Sequence, residues 1–177
     1  MAIFLCLSFT AVSFGDGLEI GTAAPSFQVK SGDDKILTFE MIKGKLIVIF
    51  YETTDVVEKN RQLKNELIKI YNEKPDTVKE LVMGLPIINC SGSFWPFIGI
   101  WKSELRKNSI KEGITIYGDW NGKMNSNYKM KAEESNIVII DNKGIIRYFV
   151  SGKVKDEEIG NIKELLEKLL EELMYEK

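Results

Sequence analysis

The side chains best suited to chemistry follow two stretches of the sequence that are predicted to be strands. The first, an apolar run at 46–50, is followed by two hydroxyls and two carboxylates: Thr53, Thr54, Asp55 and Glu58. The second, at 85–89, is followed directly by Cys90. The sequence contains no histidine, which excludes His-based triads, His general bases and His metal ligands. The remaining candidates are hydroxyl and carboxylate groups after the first strand and a thiol after the second.

Asp55 and Glu58 have a structural interpretation and a functional one. Asp is a favoured N-cap and a Glu three residues later completes a capping box, so the pair predicts a helix start. Alternatively, this polar group faces Ser135 and forms a polar opening that collects a hard cation such as Ca2+. The spacing matches no calcium-binding loop, so the sequence predicts neither a metal nor another cofactor.

Cys90 also has two interpretations. A lone cysteine at a strand end is most often a small buried hydrophobic residue. The alternative is a single-cysteine thiol reductase or peroxidase, which requires a cation or a helix N-terminus beside the thiol. The residues that follow Cys90 are hydroxyls and glycine, and no Lys or Arg occurs before Lys102. The sequence therefore favours the buried, unreactive cysteine.

Residues 94–101 form the densest aromatic segment of the chain. Most such clusters belong to the core, and core packing is the expectation here. The alternative is a surface patch for a protein partner, because the segment falls in a predicted loop and short helix rather than in a strand. Trp95 lies in this segment. Trp120, which lies in a separate turn-rich loop, could also contribute to such a patch.

The elements around the first polar group are a strand and a helix. The strand at 46–50 is continuously apolar and rich in β-branched residues, which predicts a central strand covered on both faces. From Asp55 onward the apolar residues follow a helical period, and the helix is expected to end before Pro75. Asn60 lies on the apolar stripe of this helix. A buried polar group must be hydrogen-bonded, so Asn60 is expected to hold a neighbouring loop.

The remaining pattern predicts an α/β domain. Hairpins are expected at 27–39 and 137–150, the second with its turn at 141–144, and a further strand at 114–117. Helices are expected at 96–108 and 156–173. No internal repeat or linker interrupts this order, so 16–177 is predicted to be one domain.

Residues 1–15 carry no charge and are interpreted as a secretory signal peptide, which places the mature protein in the periplasm. No later apolar run is long enough to span a membrane. Cys6 would leave with the signal, and Cys90 would then be the single cysteine of the mature chain. The net charge of −2 and the pI near 5.4 argue against nucleic-acid binding.

The order of elements, together with several short segments, resembles the thioredoxin-like superfamily in its extracytoplasmic, peroxiredoxin-related branch. These segments are the lead-in at 21–27, Gly44-Lys45 before the central strand and the hairpin at 139–145. A closer resemblance is to the YtfJ-like family of exported bacterial proteins of unsettled function. The segments that carry it are 58–60, 133–141 and the terminal helix.

The resemblance implies a thioredoxin-like fold with a central mixed sheet, flanking helices and an N-terminal β-hairpin. It also implies that both halves of a redox site are replaced. Residues 55–58 stand where thioredoxin relatives carry a C-x-x-C pair, and Ser135 stands where they carry a cis-proline. We therefore expect a non-enzymatic binding or accessory protein that recognises another exported protein or peptide.

Overall fold

The computed structural model describes residues 18–175, and the predicted signal peptide lies outside the described residues. The strands are β1 (Gln28–Ser31), β2 (Ile36–Thr38), β3 (Leu46–Glu52), β4 (Val82–Asn89), β5 (Tyr117–Asp119), β6 (Asn136–Ile140) and β7 (Ile146–Ser151). The helices are α1 (Phe39–Ile42), α2 (Arg61–Glu73), α3 (Asp76–Lys79), α4 (Ile98–Glu112), α5 (Lys123–Asn127) and α6 (Asp156–Tyr175). Among these described helices, none combines the length and the apolarity that crossing a membrane requires.

The seven strands form one mixed sheet in the order β2-β1-β5-β4-β3-β6-β7. β3, β4 and β5 run parallel, and β6 pairs antiparallel with β3. β1 and β2 form the predicted N-terminal hairpin, and β6 and β7 form the second predicted hairpin. The predicted α/β fold, with a central mixed sheet between helices, is therefore confirmed.

β3 lies inside the sheet and is covered on both faces, as predicted. Ile47, Ile49 and Tyr51 point into one core layer, which includes residues of the N-terminal hairpin, α1 and α5. The alternate residues of β3, which are Leu46, Val48 and Phe50, point into the other layer, beneath α2 and α6. This alternation follows from the pleat of a strand, in which successive side chains leave on opposite faces.

Several predicted boundaries were wrong: the helix predicted at 96–108 is Ile98–Glu112 and the strand predicted at 85–89 begins at Val82. Two further differences have a clear local cause. The predicted strand at 114–117 begins only at Tyr117, because the backbone N–H groups of Ile114 and Ile116 donate to Ser109, one to its carbonyl oxygen and one to its Oγ. Residues 114–116 thus cap the end of α4 instead of joining the sheet. α2 begins at Arg61 rather than at Asp55, because the chain first forms a 3-10 turn at Thr54–Val56. Two short helices, α3 and α5, were not predicted.

The turn between β1 and β2 packs against α4 at Gly32. A Cβ atom on Gly32 would lie 2.4 Å from the carbonyl oxygen of Lys102. Two polar contacts hold the same surfaces together: Arg106 Nη1 donates to the carbonyl oxygen of Gly32 at 2.8 Å, and Lys102 Nζ donates to Asp34 Oδ2 at 2.6 Å. The absence of a side chain at Gly32 is therefore what allows α4 to dock on this turn.

We expect Gly32→Ala to lower the free energy of unfolding by about 2 kcal/mol, because backbone atoms must move to accept the new methyl group. Urea unfolding followed by circular dichroism measures this change. Gly99→Ala is the matched control, because Gly99 lies in α4 and a Cβ there meets no atom within 4 Å. The control should be neutral or slightly stabilising, since Ala favours a helix. Equal stability of the two variants would contradict the close packing at Gly32.

Candidate functional site

Four chain segments meet at one end of the sheet. β3, β4 and β5 are parallel and end there, while β6, which is antiparallel to β3, begins there. We call this end the carboxyl edge; the segments that follow or precede the strands at this edge are 53–60, 90–97, 120–122 and 131–135. In open α/β sheets, the ends of parallel strands are where ligand sites usually form. The candidate residues of the sequence lie in these segments, so the edge is where a site is to be sought.

A buried ion pair occupies the interior of the carboxyl edge. Glu52, the last residue of β3, has a side chain that is 3% exposed, and that of Lys64 on α2 is 16% exposed. Lys64 Nζ donates to Glu52 Oε2 at 2.6 Å and to the carbonyl oxygen of Val57 at 2.8 Å. It also lies 5.1 Å from the centre of the Phe50 ring. The pair joins β3, the following turn and α2.

Ser135 extends this network from the other side. It is fully buried directly before β6, and its Oγ donates to Glu52 Oε1 at 2.7 Å. Asn60 Nδ2 donates to Ser135 Oγ at 2.9 Å. The hydroxyl is therefore fixed between a carboxylate and an amide, away from solvent. The carboxylate that accepts its proton is itself paired with Lys64, and the buried hydroxyl is closed to a substrate, so a nucleophilic role is not supported.

Asn60 holds a neighbouring loop, which confirms the prediction. It is 3% exposed. Its Nδ2 also donates to the carbonyl oxygen of Gly152 at 2.9 Å, and its Oδ1 accepts from the backbone N–H of Val154 at 2.9 Å. One side chain thus connects the start of α2, Ser135 and the loop that leads from β7 to α6. The backbone of Asn60 is non-helical (φ −117°, ψ 32°), in keeping with the helix beginning at the next residue.

The capping-box interpretation of Asp55 and Glu58 is wrong. Asp55 is exposed in the 3-10 turn, and α2 begins six residues later without a side-chain cap. Glu58 instead forms an ion pair with Arg61, whose hydrogen bond holds the pKa of Glu58 below its usual value. Arg61 also reaches Glu112 at 3.3 Å, which ties α2 to α4.

The structure does not form the predicted polar opening at Ser135. Thr54, Asp55 and Glu58 are exposed and Thr53 is half-buried, whereas Ser135 is bonded to Glu52 and Asn60 beneath the surface. Within residues 18–175, no three His, Cys, Asp or Glu side chains are grouped so as to hold a metal ion. Of the predicted polar residues, the structure therefore brings together Asn60 and Ser135.

Sequence reasoning missed Glu52 and Lys64, which form the centre of the network. A carboxylate at the end of an all-apolar strand was the available signal, since a charge that enters the core needs a partner. Lys59 and Glu134 were also missed; their ion pair, at 2.5 Å, joins the turn after β3 to the segment before β6. Nothing in their sequence spacing identifies these partners.

Cys90 is fully buried and its thiol is free. It packs with Ile88, Leu105 and Ile116 at the end of β4. Burial, and then the negative charge of Asp119, raise the pKa of the Cys90 thiol to about 12. The structure thus places Cys90 where the simpler interpretation of the sequence expects it.

We expect the native Cys90 thiol to react with a disulfide probe such as DTNB at neutral pH at least about 100-fold more slowly than in the unfolded chain, because the thiolate is the reactive form. Stopped-flow absorbance measurements with and without guanidinium chloride give the two labelling rates. Complete reaction in denaturant is the control for an intact thiol. Similar rates in the two states would show that Cys90 is accessible and ionised.

Most of the aromatic segment does not pack into the core, although Trp101 packs against the cluster around Cys90. Phe94 is 64% exposed, Trp95 84%, Phe97 46% and Ile100 61%; we call these four residues the aromatic patch. The rings of Phe94 and Phe97 contact each other edge to face, with centroids 5.2 Å apart. The expectation of core packing is therefore wrong for these residues, which lie on the surface; their binding of a partner stays a prediction.

Trp120 does not add to the aromatic patch. It is half-buried, and its Nε1 donates to the carbonyl oxygen of Lys30 at 3.0 Å. Its indole packs beside Gly118 and the cluster around Cys90. Trp95 is therefore the predicted binding tryptophan that lies on the surface.

A family model described as "Bacterial protein of unknown function (YtfJ_HI0045)" matches residues 29–169. No curated protein matches the sequence.

Several solved structures share the fold. A candidate protein disulfide isomerase from Bacteroides thetaiotaomicron is 14% identical, with a TM-score of 0.65 over 87% of this chain and 91% of its own. A candidate thiol:disulfide interchange protein DsbE from Chlorobium tepidum is 12% identical, with a TM-score of 0.63 over 86% and 99%. The thiol peroxidase from Chromobacterium violaceum is 15% identical, with a TM-score of 0.62 over 87% and 89%. At these identities the similarity establishes a thioredoxin-like fold and not an activity.

Proposed function

Because this chain belongs to the YtfJ_HI0045 family of bacterial proteins of unknown function and has a thioredoxin-like fold, we propose that it is a non-enzymatic binding protein. Its partner is another exported protein or peptide, and the aromatic patch is the surface that binds it. The proposed location is the periplasm, on the basis of the charge-free apolar segment at residues 1–15.

The exposure of the aromatic patch is the observation that carries this proposal. Soluble proteins rarely leave several large apolar side chains exposed side by side, and such patches mark interaction surfaces. Trp is also among the residues that contribute most to binding energy at protein interfaces. Trp95 has the largest exposed fraction of the four members, so it is the expected anchor.

The interior of the carboxyl edge supports a role without thiol chemistry. Glu52 is bonded to both Lys64 and Ser135, and Ser135 stands where the resemblance to thioredoxins implies a cis-proline. Residues 55–58 stand where it implies a cysteine pair, and they contain no cysteine. The neighbouring Cys90 is buried and its raised pKa keeps it protonated at neutral pH. A carboxylate or a hydroxyl cannot carry out thiol-disulfide exchange.

Trp95→Asp should weaken partner binding strongly. A quantitative pull-down from bacterial envelope extract, with the mature chain immobilised, identifies proteins retained by the wild type and lost by the variant. Calorimetry with the purified partner should then show affinity reduced by about 30-fold or more, as expected for the loss of a central aromatic residue. Ile110→Asp is the matched control, because Ile110 lies on α4 outside the patch and is 83% exposed. Retention of the partner by Trp95→Asp would contradict the proposal.

An insulin-reduction assay and a peroxide-consumption assay test the enzymatic alternative directly. The proposal expects no turnover by the wild type in either assay. Turnover that Cys90→Ser abolishes would replace the binding function with single-cysteine thiol chemistry.

A further inference from the structure

Asp119 is a buried carboxylate at the end of β5. Asp119 is fully buried. Its Oδ2 accepts two hydrogen bonds, from the hydroxyl of Tyr51 at 3.0 Å and from the backbone N–H of Asn125 at 3.0 Å. Both donors are neutral. The carboxylate is thus held in place by groups from β3 and α5 that do not compensate its charge.

The other oxygen of Asp119 has no donor. Asp119 Oδ1 is buried, and no protein group within residues 18–175 hydrogen-bonds to it. Asn125 Oδ1 is buried and without a donor in the same way. The hydrogen bond from Asn125 N–H to Asp119 Oδ2 holds the two residues next to each other. Buried acceptors are costly unless a donor or a positive charge reaches them.

Asp141 provides the comparison within the same chain. This carboxylate is also buried, but both of its oxygens are used. Its Oδ1 accepts from the backbone N–H groups of Lys143 and Ile145, and its Oδ2 accepts from Arg147 at 3.0 Å. The protein therefore supplies donors to both oxygens of Asp141 and, within the described residues, to one oxygen of Asp119.

We propose that Asp119 and Asn125 form an internal site for one electropositive ligand the size of a water molecule, either water itself or a monovalent cation. Water donates to buried carboxylate and amide oxygens, and these oxygens are also ligands of hard cations. One carboxylate supplies a single negative charge, which matches a monovalent ion better than a divalent one. The site is separate from the aromatic patch and does not depend on its function.

A crystal structure of the wild type at high resolution, grown in rubidium chloride, tests the site. The proposal expects a density peak within about 3.2 Å of both Asp119 Oδ1 and Asn125 Oδ1. An anomalous rubidium signal at the peak identifies a cation, and its absence identifies water. The proposal is overturned if the space holds no density, or if the Asn125 amide is rotated so that its Nδ2 donates directly to Asp119 Oδ1.

Thermal unfolding gives the same distinction in solution. If a cation binds, the melting temperature of the wild type is higher in potassium chloride than in choline chloride at equal ionic strength. Asp119→Asn should lose that difference, while Asp141→Asn, which removes a buried charge elsewhere, should keep it. If water binds, both salts give the same melting temperature and the density peak remains. A salt difference that persists in Asp119→Asn would place the cation elsewhere and reject the cation form of the site.

Discussion

Lys64→Met is expected to lower the free energy of unfolding by about 3 kcal/mol, because it leaves the Glu52 carboxylate buried without its cation. The backbone carbonyl of Val57 loses its donor at the same time. The estimate is at the low end of the range for broken buried pairs, because Lys64 retains some contact with water. Chemical unfolding monitored by circular dichroism measures the loss.

The double variant Glu52→Gln with Lys64→Met separates the charge from the packing. Removing both charges should recover part of the stability lost in Lys64→Met, since a buried pair can often be replaced by neutral groups at little cost. Lys69→Met is the matched control, because Lys69 pairs with Glu66 on the exposed face of the same helix. We expect the control to match the wild type. If Lys64→Met also matches the wild type, the buried pair does not contribute as the geometry indicates.

Asn60→Ala should also cost about 3 kcal/mol. The substitution removes three hydrogen bonds and leaves Ser135, the carbonyl of Gly152 and the N–H of Val154 without their partner. Each buried group left unsatisfied costs on the order of 1 to 3 kcal/mol, part of which water entering the space can recover. Equilibrium unfolding in urea provides the measurement.

Asn65→Ala is the control for this second prediction. Asn65 lies on the exposed face of α2, so the substitution retains the change of residue type without the network. Its effect should stay within about 0.5 kcal/mol, as for most surface positions. A loss of stability in Asn65→Ala as large as that in Asn60→Ala would mean that the loop contacts of Asn60 do not explain the result, because Ala by itself favours a helix over Asn.

Asn60 shows what the sequence could predict about the site and what it could not. An amide on an apolar helical stripe must find partners, and this rule predicted both its burial and its role in holding a loop. The partners themselves are 75 to 94 residues away in the chain. Only the pairing of β3 with β6 and the return of β7 toward α6 bring them together, and no local pattern encodes those distances.

The apolar pattern of the strands also predicted their place in the sheet correctly. The sequence did not predict which aromatic side chains are exposed. The uninterrupted apolar run of β3 correctly predicted an interior strand, because both faces of such a strand must be covered. The aromatic residues from Phe94 to Phe97 have the same composition as a core cluster. Their exposure follows from how α4 docks, which involves the close packing at Gly32 and the polar contacts of Arg106 and Lys102 with the turn between β1 and β2.

The same distinction applies to the helix start at residue 55. The sequence 55–58 satisfies the capping-box rule, yet Glu58 pairs with Arg61 and the helix starts only after Asn60. The tertiary bonds of Asn60 fix a non-helical backbone at that position. Local capping preference, worth about 1 kcal/mol, is overridden by a network of several bonds.

The sparse anchoring of α4 has a consequence for motion. Of its fifteen residues, Leu105 is the one that is buried, and Trp101 packs against the same cluster around Cys90. The contacts of Arg106 and Glu112 are polar and lie near the surface. Amide hydrogens of α4 should therefore exchange with solvent through subglobal opening, well before those of β3 and β6. Ile100 of the aromatic patch lies in α4 and the other three members directly precede it, so the patch should share this local opening, in which a partner can select among conformers.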